Sequence, residues 1–393
     1  MSGVFRTKVL SELIEDSLAN KNFTGTMDAQ VRHPSGATNL GFGINTLVDA
    51  ESGATNNTAF GVQALQELTT GDRNTAVGYG SLEVNTTSAN STAVGYDTLV
   101  LNNGGQNQAF GAFTLDANTT GIYNCAYGYA ALGANVSGNY NVALGARSVL
   151  AACVSGLGNV AVSGYGALAA LDDGDYNIAL GYFAGNDIEG GSDNVCIGRF
   201  AGGVIVDSDS NTCIGNLSGD DISSGATNTT LGYNAGVGLT TGSFNTLIGR
   251  SAGPSAAGVS NEITLGDANV ATLRCQQTSI SALSDARDKD EIQDLSLGLD
   301  YIQQVRPVEF VWQMRDGAVT DKKDFGFIAQ EMMAVEDAND AEWVSSVLRN
   351  NPERLEVAPA QLLPIAIKAI QELSAQLDEL KAKVGSCKCR GGK

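Results

Sequence analysis

From Asn39 to Val270 the sequence has no lysine, and its basic residues there are Arg73, Arg147, Arg199 and Arg250 alone. The formal net charge is −20 over 393 residues. So little positive charge excludes nucleic acid and anionic membrane as main partners, because both are held through basic patches. Histidine occurs once, at His33, which rules out Ser-His-Asp, Cys-His and multi-histidine metal chemistry within one chain. No apolar run reaches the ~18 residues that a bilayer-spanning helix requires. The seven cysteines, an odd number without framework spacing, do not read as a disulfide scaffold. Cys196 and Cys213 fall at equivalent places of adjacent repeats and read as small buried apolar residues. Cys387 and Cys389, as CKC, are two sulfurs without further ligands, a weak signal for metal, and read rather as part of a loose tail. No cofactor and no metal are expected. The segment MSGVFRTKVLSELIEDS places acids where a signal peptide needs an unbroken apolar stretch. Synthesis and assembly are therefore expected in a cytosol, where thiols stay reduced.

Glycine is abundant, with 48 residues, and much of it is periodic. A unit Asn-x-small-apolar-Gly recurs as Asn57 to Gly61, Asn74 to Gly78, Asn90 to Gly95, Asn107 to Gly111, Asn124 to Gly128 and Asn141 to Gly145, and continues to Gly266. There is an earlier copy at Asn39 to Gly43 and a degenerate one in which Ser163 stands for the glycine, about fourteen copies in all, mostly 17 residues apart. So strict a period predicts a stack of equal rungs, a narrow parallel β-solenoid in which each rung holds two strands of about five residues plus turns. At about 4.8 Å per rung the stack would be on the order of 60 Å long. Within a unit, Ala76 and Gly78 face one way and Val77 and Tyr79 the other. The repeated Asn is expected to bond backbone groups and to ladder from rung to rung, and the Gly to occupy left-handed or crowded positions. A rung this thin leaves apolar positions exposed, which three stacks about one axis would cover. Acids such as Asp97, Asp116, Asp172, Asp173 and Asp187 fall in turns without repeating as neighbouring pairs, so the shaft is not expected to be an enzyme. Tyr79, Tyr96, Tyr129, Tyr182 and Tyr233 are read as packing between protomers, with ligand contact as the other possibility.

The two ends differ from the repeat. Val9, Leu10, Leu13, Ile14 and Leu18 recur at helical spacing and predict a short helix. Toward the C-terminus, Ile292, Leu295, Leu299 and Ile302 predict a helix ending before Pro307, and VEFVW (308–312) and FGFIA (325–329) predict strands. Leu363, Ala366, Ile370, Leu373, Leu377, Leu380 and Val384 alternate spacings of three and four, the pattern of a coiled-coil seam. The C-terminal region is thus expected to be a small α+β domain ending in a coiled coil. Ser284 stands five residues before Lys289. Alone, that spacing reads equally as a helix N-terminus capped by Ser284 or Asp285. It also suits a serine-lysine dyad, which can cut a peptide without histidine if the lysine is neutral, a state favoured by burial or by a nearby cation such as Arg287.

The NTAVG-type units at 39–266 resemble the head repeats of trimeric autotransporter adhesins and comparable repeats of phage fibres, which are built as trimeric parallel β-rolls. Leu-Ser-Asp-x-Arg-x-Lys-x-x-Ile at 283–292, Arg-Pro-Val-Glu-Phe at 306–310, Gly-Phe-Ile-Ala-Gln-Glu at 326–331 and the terminal heptads, taken in order, resemble the intramolecular chaperone domain of endosialidase-type phage tailspikes and fibres. That module also occurs in some membrane-bound transcription factors. The resemblance implies a domain that trimerises, guides folding of the preceding fibre and releases itself by autoproteolysis. Ser284 would be the nucleophile, Lys289 the general base, Leu283–Ser284 the bond cut, and Asp285 and Arg287 supporting residues. The expectation is a homotrimeric bacteriophage fibre, carried on the virion and assembled in the host cytoplasm. It would have an attachment segment at 1–38, a shaft at 39–270 and a self-cleaving chaperone at 271–393 whose coiled coil spans 363–384. Its partners would be further copies of itself, a virion protein at the N-terminus and a host-surface receptor, glycans included, with neither nucleic acid nor membrane insertion. The alternatives are a bacterial trimeric surface adhesin, for which an export signal and anchor are wanting, and a fibre that keeps its chaperone uncleaved. A processed membrane transcription factor is disfavoured for want of a DNA-binding module and a transmembrane helix.

Overall fold

The computed structural model describes residues 30–32, 38–50, 53–146, 149–270, 272–274, 276, 284–314 and 320–388. The helix expected around Val9 to Leu18, together with His33, Arg147 and Cys389, lies outside them, as do the side chain of Cys387 and all of Leu283. The chain is mainly β, a parallel solenoid of about 13 turns over residues 40–265 followed by a smaller region of helices and short sheets. Contacts divide it into two compact units after Ser224.

The first strand, β1 (Gln30–Arg32), lies antiparallel on β2 (Leu40–Gly43). From β2 the sheet runs in chain order to β15 (Ile263–Leu265), in register, so that Thr75, Ala76 and Val77 lie opposite Thr92, Ala93 and Val94. Each rung contributes one strand of about three residues, not the two strands of about five that its length suggested. The remainder of the rung turns through left-handed residues. In a typical rung these are Gln106 (φ 64°), Phe113 (φ 56°) and Leu115 (φ 51°). Hydrogen bonds between rungs nevertheless continue through the turns, as from Leu82 N to Thr98 O (3.0 Å) and Val84 N to Val100 O (2.9 Å).

The repeated asparagine holds the rungs together from inside. The backbone N–H of Asn124 donates to Asn107 Oδ1 (2.9 Å), its Nδ2 donates to Gly138 O (2.8 Å), and its Oδ1 accepts from Asn141 N (3.0 Å). All three asparagines are fully buried. One expected member is replaced: Asn90 sits in a left-handed turn and Ser91 takes the ladder place, accepting Asn107 N and donating its own N–H to Asn74 Oδ1. The ladder ends at Glu262, which donates its backbone N–H to Asn245 Oδ1 but turns its carboxylate onto Ser255 N (2.8 Å) and the Ser255 hydroxyl. A second internal ladder, absent from the sequence-based reading, links Asn102, Asn118 and Asn135 through Nδ2–Oδ1 bonds of 2.7 Å.

Two solutions fill the core. In rungs up to Leu168, a left-handed leucine four or five residues after the rung glycine, or after Ser163 in its place, is fully buried, as at Leu82, Leu115 and Leu132, and from Ala59 on alanine holds the strand centre. A left-handed leucine costs about 1–2 kcal/mol, and its burial returns about 1.5–3 kcal/mol, so burial prevails. Later rungs place Gly185 and Gly202 at that position. The volume moves to Ile188 and Ile205 and to the strand centres Cys196 and Cys213, all fully buried. The periodic glycines are required by contact as well as by φ. At Gly128 (φ +135°) an added Cβ would lie 1.9 Å from Gly145 O.

In the C-terminal region a short helix, α1 (Leu299–Ile302), starts later than expected, because residues 292–298 adopt no regular structure. Strands β16 (Val308–Gln313) and β17 (Thr320–Gly326) pair antiparallel. Of the expected FGFIA strand only Phe325 and Gly326 belong to β17, and Ala329 opens helix α2 (Ala329–Ala338). A small hairpin, β18 (Val347–Leu348) with β19 (Glu356–Val357), precedes helix α3 (Leu362–Lys388). Tyr301, Met332, Ala341, Val344, Val347, Leu362 and Ile365 form the core. Glu336, fully buried, accepts from Ser346 N (2.8 Å), the Ser346 hydroxyl (2.6 Å) and Arg349 (2.8 Å). The first turns of α3 bury Leu362, Ile365 and Ala369. The heptad residues Leu363, Ile370, Leu373, Leu377, Leu380 and Val384 point outward, each about half exposed or more. Among the described residues no helix is long and apolar enough to cross a membrane.

Candidate active site

Asp285 governs the local geometry at residues 284–290. Its Oδ1 accepts from the backbone N–H of Arg287 (2.9 Å) and from Arg287 Nε (3.0 Å), and its Oδ2 from Arg287 Nη2 (2.6 Å). This caps the single 3₁₀ turn Ala286–Asp288, in place of the longer helix expected there. The Lys289 N–H closes the turn on Ala286 O, and Lys289 itself leaves in an extended conformation (φ −128°, ψ 139°). The side chain thereby returns across the turn, and Lys289 Nζ donates to Ser284 Oγ at 2.6 Å. The charge-assisted bonds to Arg287 hold the Asp285 carboxyl below its ordinary range and the Arg287 guanidinium above its own. Arg287 is therefore engaged with Asp285. Every residue from Ser284 to Asp290 is exposed in the single chain.

Lys289 lines a groove of about 470 Å³ together with Glu291, Ile292, Leu295 and Trp343, the last 63% exposed. Trp343 was not singled out from sequence, because a lone exposed indole carries no spacing signal. The Arg-Pro-Val-Glu-Phe and Gly-Phe-Ile-Ala-Gln-Glu segments meet through an ion pair: Arg306 Nε donates to Glu331 Oε2 at 2.9 Å, and the paired guanidinium lowers the Glu331 carboxyl. Residues 284–343 match the family model of the Chaperone of endosialidase. No curated protein and no solved structure matches the chain. The matched span opens on Ser284 and closes on Trp343, and of these two residues Trp343 lines the groove beside Lys289.

The shaft acids are brought together more than their spacing suggested. Asp97 and Asp116 share a groove of about 460 Å³ with Glu83, Gln63, Tyr79, Tyr96 and Phe113. Burial, and then the charge of Asp97, raise the carboxyl of Glu83, and burial raises that of Asp116. Tyr79 and Tyr96 stack on each other (5.2 Å), so their edges rather than their faces point outward. Tyr129, Tyr182 and Tyr233 are half exposed. Asp172 and Asp173 line a second groove with Glu189 and Asp207, which does not include Asp187. Among the described residues no group of three His, Cys, Asp or Glu side chains is placed to hold a metal ion.

Proposed function

We propose that the chain is a homotrimeric bacteriophage fibre whose C-terminal chaperone directs assembly and then cuts itself free at Leu283–Ser284. The observation that supports this most directly is the contact of Lys289 Nζ with Ser284 Oγ at the first residue of the matched chaperone span. Neutral Lys289 takes the Ser284 hydroxyl proton as Oγ attacks the Leu283 carbonyl carbon. The C–N bond breaks, the proton passes through Lys289 to the departing Ser284 nitrogen, and the acyl group rests on Oγ as an ester. One water then hydrolyses the ester, leaving the Leu283 carboxylate and the Ser284 hydroxyl. Desolvation is what favours a neutral lysine, and both side chains are exposed in one chain, so the cut is coupled to assembly. The exposed heptad face of α3 supports the association that would cover them. Stacked rungs with interchain contacts fold slowly, so a helper that fixes register speeds them. Its removal leaves a fibre that cannot easily retrace its path. The mature fibre would reside on the virion and meet a host-surface receptor.

The test is intact mass of the full chain beside Ser284→Ala and Lys289→Ala. Loss of a 110-residue piece, Ser284 to Lys393, from wild type only is expected. A trimeric wild type that stays uncut overturns the autoproteolysis and leaves the region as a permanent tip. The Leu373→Asp/Leu380→Asp chain is expected to be monomeric and uncut, and cleavage by a monomer would sever the coupling.

A further inference from the structure

Every shaft strand turns its middle residue inward and its first and third residues outward. At the third position all fourteen residues from Phe42 to Leu265 are apolar or aromatic, Phe60, Val94, Tyr127, Ile197 and Leu231 among them. At the first position, from Leu40 to Ile263, Thr, Val and Ile predominate. Not one of these 28 outward positions carries a charge, in a chain of net charge −20. Phe60 (56%), Leu231 (44%) and Leu265 (50%) remain well exposed. The acids occupy turns instead, as in the groove of Asp172, Asp173 and Asp207.

We infer that this charge-free strand face is the surface on which copies of the chain pack, parallel and in register, rung against rung. The inference rests on the homotrimer proposed above and names its contact face. The identity of the occupant follows from pitch. Side chains on the face repeat at the strand spacing of about 4.8 Å, and only a surface with the same repeat fills every gap between them. A second copy has that repeat, and no other segment of this sequence does. The face is long, running over fourteen strands from Leu40 to Leu265, as an interface that must bury ~800 Å² per partner requires. Strongly acidic chains repel one another, and a face without charge lets them meet while their carboxylates stay apart. A parallel arrangement also lets the outward heptads of α3 from each chain share one seam.

Cysteine cross-linking tests both face and register. In a background with Cys125→Val and with Cys275, Cys387 and Cys389 changed to Ser, the remaining Cys153, Cys196 and Cys213 being buried, Val94→Cys and, separately, Asp116→Cys are treated with a short bismaleimide after assembly. The Val94→Cys chain is expected to give at least tenfold more covalent dimer than Asp116→Cys. Coexpressed Val94→Cys and Leu180→Cys chains are expected to give only same-site products. Native Cys125, outward and half-buried in one chain, is expected to resist alkylation in the assembled protein and to react in the Leu373→Asp/Leu380→Asp chain. If the protein sediments as a trimer but Asp116→Cys cross-links and Val94→Cys does not, the face is wrong and the fibre reading stands. Mixed-site products overturn the register, and a monomer by sedimentation overturns both.

Discussion

The shaft and the C-terminal region are stabilised in opposite ways. In the shaft, polar groups are buried and satisfied by the neighbouring rung, as with the Asn107, Asn124 and Asn141 ladder. A rung on its own encloses almost nothing, and its asparagines have no partners until the next rung arrives. The C-terminal region closes on itself through distant residues: Tyr301, Met332 and Ile365 share one core, and Leu299 N donates to Glu372 Oε2 across 73 residues. A stack without a self-sufficient unit is slow to nucleate, whereas a closed core can form first. The order of folding that a helper domain needs is therefore built into the kind of core each region has.

Four substitutions would break or sharpen this contrast. Gly128→Val has the largest expected effect. A side chain there meets Gly145 O at φ +135°, so the stack loses its protease resistance while near-ultraviolet dichroism from Trp312 and Trp343 is retained. Glu336→Ala reverses the selectivity: it leaves the buried Ser346 N–H and hydroxyl without their acceptor, while Arg349 keeps Asp337, and is expected to destabilise the C-terminal transition by about 1–3 kcal/mol in denaturant titration, with the shaft unchanged. Asn141→Ala strands Gly156 O and Asn159 N inside the shaft and is expected to cost about 2–4 kcal/mol, read as a lowered shaft melting midpoint. The smallest effect belongs to pH. Glu83 and Asp116 have folded values above their ordinary ones, so the folded chain holds protons that the unfolded chain releases. Stability from these groups is present at low pH and falls as pH rises from about 4 through the folded values. Asp97→Asn removes the charge that helps raise both, and is expected to shrink the difference in shaft melting midpoint between pH 4 and pH 7. An unchanged difference would mean that Asp97 does not couple to them.

The rung period, the inward middle residue of the strands, the asparagine ladder and the outward heptads were legible in the sequence, because each is a spacing that one physical rule reads directly. The turns were not. Left-handed positions are ordinarily read from Gly and Asn, yet here Leu132, Tyr140 and Phe113 occupy them. Burial or stacking outweighs the local preference, and only the assembled rung reveals it. The same holds for Ser91, which replaces Asn90 in the ladder through a one-residue shift in a rung of 16. In the C-terminal region the apolar spacing of Ile292 and Leu295 imitated a helix that the backbone does not form, and α2 was hidden behind the apolar run FGFIA. The contact between Ser284 and Lys289 was expected from motif resemblance, but the turn that makes it, capped by Asp285, is a property of three dimensions.

Glu262 gives the ladder a final step. An asparagine there would offer its amide to a further rung, and that rung to another, so the number of turns would depend on how many rungs happened to join. By folding its carboxylate back onto Ser255, Glu262 donates the last ladder bond to Asn245 and passes none on, while β1 lies antiparallel across the opposite edge. The stack thus carries its own ruler, written in the chain, and its exposed ends are poor templates for end-to-end polymerisation.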